Sequence, residues 1–207
     1  MDEQIEVWSG PGMSQLIDSI LFRDLSACDP KDVINRTNAL YDEKKGIYRL
    51  DIWGRSYEVM PEQFRITPRG EGPDTYRDYL YLFMLHYLMK AKAIPLSGQW
   101  VSEKDITGGT AFFRGPHTLP TQILAQAFGK DLQAFLDAGK RLGGTPLAMA
   151  DAAFSFSITP RIPVAVLLWL GDDEFESEAK LLFDKTIEQH LPLDIIYALA
   201  VEICHAF

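Results

Sequence analysis

"AAFSFSITPRIPVAVLLWL", residues 152–170, decides the fold. Phe154, Phe156 and Ile158 alternate with Ser155 and Ser157, the period-two pattern of a strand with one buried face. Val164 to Leu170 is apolar throughout and rich in strand-forming residues, which reads as a central strand buried on both faces. The intervening "TPRIP" is short enough for an antiparallel pair.

Upstream, "IYRLDIWGRSYEVMP" (residues 47–61) is a second hairpin. Gly54-Arg55 suits a two-residue type II′ turn. That register sets Trp53 opposite Ser56, Ile52 opposite Tyr57 and Leu50 opposite Val59, with one apolar face. On the other face it sets Asp51 opposite Glu58.

Helical spacing accounts for most of the remainder. Leu16, Ile17, Ile20, Leu21 and Leu25 form a stripe over residues 13–25. Asp29-Pro30 reads as a cap and first-turn proline for a helix to about Leu40. Residues 67–73 read as a loop, after which Asp74 or Thr75 caps a helix to about Lys92, with Tyr76, Leu80, Phe83, Met84 and Tyr87 as its stripe. Residues 95–120 look irregular, and a segment that long inside a compact domain is often functional. Helices follow over 120–128 and 131–142, the second capped by Asp131 and stopped by Gly143-Gly144. Two more are expected over 176–189, with Phe175, Ala179, Leu182, Phe183 and Ile187 inward, and over 192–205, with Ile195, Ile196, Leu199 and Ile203 inward. The order implies an α+β fold, one antiparallel sheet of about four strands packed by helices. A helical extension over 1–34 would precede a single α+β domain over 35–207.

Twenty Lys and Arg against 29 Asp and Glu give a formal charge of −9. That charge repels phosphate and anionic lipid, which argues against nucleic acid and membrane as partners. Cys28 and Cys204 form no Cys-x-x-Cys, so they read as free buried thiols of a reducing cytosol. "MDEQIEVWSGPG" lacks the apolar segment of a signal peptide. The longest apolar run, Ile162 to Leu170, falls short of the roughly 20 residues a membrane span needs. A cytoplasmic protein is expected.

"WLGDDEFESEAKLLFDKTIEQHLP" (169–192), with "GGTAFFRGPHTLPTQILAQAFG" (108–129) and "GKRLGG" (139–144), resembles the prokaryotic family catalogued as domain of unknown function 3786. The likeness spans about residues 35–207. It implies a shared fold and a shared ligand site rather than a reaction. Some members carry a cysteine-rich segment of iron–sulfur type; with two cysteines, this chain inherits no such role.

Several groups are candidates for chemistry. His117, in "FRGPHTLP", could serve as axial ligand to a tetrapyrrole metal or as a general base, with Arg114 meeting a carboxylate or phosphate and Trp100 nearby. "HTLP" could equally be plain helix entry. Asp172, Asp173 and Glu174 could bind a hard cation through oxygen, or simply complement a helix N-terminus. Asp51 and Glu58 could share a proton or a cation, or be neutralised by Arg49 and Arg55. His86 fits a core-edge histidine, and His190 and His205 fit helix C-termini.

The leading expectation is an accessory protein binding a small molecule or metal-containing cofactor in the 98–120 segment through His117, Arg114 and Trp100. No motif specifies the cofactor. The alternatives are an enzyme pairing His117 with a carboxylate of 172–174, and an interaction module or homodimer using Trp8, Trp53 or Trp100.

Overall fold

A computed structural model of the chain describes residues 17–70 and 78–207; Trp8, Leu16, Tyr76 and the expected caps Asp74 and Thr75 lie outside them. The helices are α1 (Ser19–Ser26), α2 (Pro30–Thr37), α3 (Asp78–Lys90), α4 (Gly109–Phe112), α5 (Gln122–Phe128), α6 (Leu132–Arg141), α7 (Ile187–His190) and α8 (Leu193–Ala206). The strands are β1 (Leu40–Asp42), β2 (Ile47–Ile52), β3 (Arg55–Met60), β4 (Arg65–Pro68), β5 (Trp100–Val101), β6 (Thr145–Leu147), β7 (Ala152–Thr159), β8 (Ile162–Trp169) and β9 (Glu178–Asp184).

The fold is α+β, but each hairpin seeds its own sheet. One sheet has four strands in the order β1-β2-β3-β4, and the other has five in the order β5-β9-β8-β7-β6, all neighbours antiparallel. The strands missing from the expectation are mostly the short edges β1, β4, β5 and β6, of two to four residues. Strands that short carry too little periodicity to stand out.

The larger correction is β9, expected as a helix over 176–189. Ala179, Leu181 and Phe183 are buried, while Glu178 and Lys180 are exposed, a period of two. Phe175, expected inward, is 70% exposed. The apolar residues of this stretch fit both periods, and pairing decides. Without β9, the whole edge of buried β8 would lose its partner, leaving backbone groups unsatisfied.

The first hairpin also turns one position earlier than expected. Trp53 (φ 49°) and Gly54 (φ 75°) both have positive φ, as a type I′ turn requires. Leu50 therefore pairs with Tyr57, Asp51 with Ser56 and Arg49 with Glu58. The apolar face survives because the shift keeps its parity. The expected Asp51–Glu58 opposition does not exist: Arg49 Nε meets Glu58 at 2.9 Å, and the Ser56 hydroxyl donates to Asp51.

Local signals held where they were strongest. Asp29 accepts from the Lys31 N–H and Asp131 from the Ala134 N–H, each capping the helix expected of it. Strand β8 is the middle strand of its sheet, as its two apolar faces require. In α1, Phe22 and Leu25 face inward, but Ile20 is 53% exposed. One continuous core runs from Phe22 and Val59 through Phe83 and Leu199 to Phe154 and Phe183. Helix α3 packs on α8 and against α1 and α2, while α5 and α6 lie against the second sheet.

Candidate functional site

The two sheets meet at the tip of the β2–β3 hairpin. Trp53 donates its backbone N–H to the Ile158 carbonyl at the end of β7 (2.8 Å) and its indole Nε1–H to the Leu142 carbonyl after α6 (3.0 Å). Its ring stands edge-on to Phe156 at 5.3 Å. A left-handed backbone is strained for a bulky residue, at roughly 1–2 kcal/mol. These tertiary bonds hold Trp53 there and fix its indole as a wall.

Behind that wall lies a cleft of about 220 Å³, bounded by both hairpins, α3, the end of α6 and the last turns of α8. Its apolar sides include Tyr57, Leu142 and Leu199, and its charged groups are Arg55, Arg141 and Glu202. Glu202 is 9% exposed, on the buried side of α8 beside Val201 and Ile203. Arg55 lies over the Tyr57 ring at 5.8 Å. Among the described residues the Arg141 guanidinium makes one hydrogen bond, from Nη2 to the Phe207 carbonyl at a long 3.4 Å. The chemistry on offer is that of a ring-sized apolar slot with guanidinium groups at its edge. Sequence reasoning missed it because Trp53, Arg55, Arg141 and Glu202 are spread along the chain. The one available signal was a lone glutamate inside "IIYALAVEICHAF".

The 98–120 segment is tied down rather than open. Asp184, 3% exposed at the end of β9, accepts from the backbone N–H groups of Ser97, Gly98 and Thr186 and from the hydroxyls of Ser97 and Thr186. Burial is the largest single influence and opposes ionisation, but these donors together overcome it and hold the carboxyl down at about 2. Farther on, Glu188 accepts from the Thr107 N–H.

His117 closes a 3-10 turn over 115–117. Its ring stacks on Phe112 at 4.6 Å and meets the edge of Tyr197 at 5.6 Å. His117 and Arg114 are both exposed, and Trp100 is half-buried on β5, opposite Asp184. Asp172, Asp173 and Glu174 are exposed in the β8–β9 connection, with no helix start beneath them. Asp172 accepts from the Glu174 and Phe175 N–H groups, which lowers its pKa. Among the described residues no hydrogen bond or ion pair joins His117 to Asp172, Asp173 or Glu174. Among the described residues no group of three or more His, Cys, Asp or Glu side chains is placed to hold a metal. Cys28 and Cys204 are both free, and burial pushes the Cys204 thiol up to about 12, so it is no nucleophile at neutral pH.

His190 is 1% exposed, and its Nδ1 accepts from the Lys92 N–H at 3.1 Å. Burial lowers its pKa, with Arg161 and Lys92 adding to the effect and Asp184 opposing it. Burial likewise lowers the pKa of His86 on the flank of α3.

The outer face of the second sheet carries an apolar patch bordered by Ser155, Ser157, Glu178 and Lys180. Ala153, Ala165 and Leu167 are buried there beneath Trp100, Leu147, Met149, Trp169 and Leu182. No helix of the described residues is long and apolar enough to cross a membrane.

These features define an α+β protein of two antiparallel sheets clasped at a seam by a strained tryptophan. The chain belongs to the family described as Domain of unknown function (DUF3786), whose model matches residues 29–206. No curated protein and no solved structure matches it. The stretches that carry the family likeness have structural duties here. A Cβ on Gly139 of "GKRLGG" would fall 2.4 Å from the Phe154 ring, so glycine lets α6 lie close on β7. The aspartate of "LLFD" is Asp184, anchor of the Ser97–Gly98 strap.

Proposed function

We propose that this chain is a binding protein for a small molecule, and that the ligand seats in the cleft beside Trp53. The observation that carries the reading is the convergence of a strained, doubly hydrogen-bonded tryptophan, two guanidinium groups and a buried glutamate on one slot of about 220 Å³. Strain at a bulky residue is commonly found where a site must be held in one shape. A seat on the 98–120 segment, with His117, Arg114 and Trp100 as contacts, has less behind it, since His117 and Arg114 stand exposed.

The test is the indole N–H resonance of Trp53 in ¹⁵N-labelled protein, assigned with Trp53→Phe. Titration with benzoate, benzamide and benzamidine should shift it saturably with at least one probe while the Trp100 and Trp169 resonances stay put. A Trp53 resonance unmoved by all three would overturn the reading.

The outer face of the second sheet favours a second reading, a homodimer closed over Trp100 and Trp169. Light scattering at high protein concentration tests it. A dimer that Trp169→Glu dissociates supports it, and a monomer throughout rejects it.

A further inference from the structure

We infer that the cleft selects a single-ring organic monoanion, a carboxylate about the size of benzoate. The inference rests on the binding reading above and names the ligand class of that same site. Size comes first. A cavity of about 150 Å³ lined by apolar side chains is enough to hold benzene, and this cleft offers about 220 Å³. That is room for a ring and a small head group.

Shape and polarity come next. Trp53 and Tyr57 contribute aromatic rings and Leu142 and Leu199 branched carbons to the lining, a surface that suits a flat apolar body. The charged lining is two arginines against one glutamate, a surplus of one positive charge. The whole chain carries −9, so this cationic edge runs against the overall field and stands out from it.

The sign of that surplus sets the ligand's charge. A carboxylate can take two parallel N–H bonds from a guanidinium, a geometry ammonium donors cannot match. Arg141 is the group placed to give them, because it is exposed and its bond to the Phe207 carbonyl is long. Arg55, lying over Tyr57, shares the cleft with the Glu202 carboxylate, so Arg141 supplies the surplus. A cationic head group of the same shape would face the Arg141 guanidinium. Glu202 disfavours a second negative charge on the ligand, since it is already buried in the wall.

Benzoate, benzamide and benzamidine have nearly the same size and differ in charge, so titration calorimetry on the three separates the terms. Benzoate should bind at least tenfold more tightly than benzamide, and benzamidine most weakly. Arg141→Gln should erase the benzoate advantage and leave benzamide unchanged, which a general loss of packing would not do. Ala206→Phe, which places a ring in the cleft from its half-buried rim, should abolish binding of all three. Benzamide equal to or tighter than benzoate would overturn the anion assignment while leaving the site standing. No heat from any probe, with the Trp53 resonance also unmoved, would overturn the site and the ligand class together.

Discussion

Asp184→Asn is the sharpest test of how the structure holds its long connection in place. The wild-type carboxylate takes four donors on Oδ1, from Ser97 and Thr186, and one on Oδ2, from Gly98 at 2.8 Å. An asparagine is nearly isosteric, but one of its two head atoms is a donor. Its better orientation keeps the amide oxygen at the Oδ1 position and sets NH₂ against the Gly98 N–H. That sacrifices one charge-assisted bond, about 1.5–3 kcal/mol, and weakens the other four. Linkage gives a second route to the magnitude. The folded pKa of about 2, against an ordinary 3.8, is a gap of almost two units, or about 2–3 kcal/mol. The two routes agree. Because the folded pKa is depressed, this stability is complete above pH 3.8 and drains away as the pH falls towards 2. Urea unfolding followed by circular dichroism should show Asp184→Asn about 2–3 kcal/mol less stable at pH 7. The gap should narrow below pH 4, where wild type loses its carboxylate and the variant has none to lose. A loss under about 0.5 kcal/mol at pH 7, or a gap that does not change with acid, would refute the reasoning.

The histidines give a second pH signature. The folded pKa of His190 lies below its ordinary 6.5, so its contribution is intact above pH 6.5 and falls as the pH drops beneath it, by up to about 1.4 kcal/mol per unit. His190→Gln keeps an acceptor near the Lys92 N–H, and its stability curve should be flatter than wild type between pH 6.5 and 5; parallel curves would contradict the burial. Gly139→Ala should gain up to about 1 kcal/mol in helix propensity but lose about 1–3 kcal/mol, or more, to the clash with Phe154, for a net loss in thermal stability; a rise in Tm would contradict the close approach. Gly54→Ala meets no atom within 4 Å, so its cost is conformational alone, about 1 kcal/mol from φ +75°, and a neutral result would argue against the type I′ turn.

Sequence and structure part company at identifiable places. The 152–170 hairpin, the caps at Asp29 and Asp131 and the inward face of α8 were legible because each is written in neighbouring residues. Residues 178–184 were not, because Ala179, Leu182 and Phe183 also sit at helical spacing, and only the open edge of β8 settles the matter. The first hairpin's turn slipped by one position because a tryptophan at positive φ is locally unfavourable; Ile158 and Leu142 hold it there from the second sheet and the end of α6. The cleft itself was illegible for the same reason. Its residues come together only when the two sheets close on each other. His117 drew notice through local stiffness, yet its ring ended stacked on Phe112 at the surface.

The measurement that tests the central claim most directly is a crystal of the protein soaked in 3-bromobenzoate and recorded at the bromine absorption edge. The account predicts one dominant anomalous peak between Trp53 and Leu199, with the carboxylate turned towards Arg141. A peak against His117 and Phe112 instead, or an empty cleft in well-ordered crystals, would contradict it.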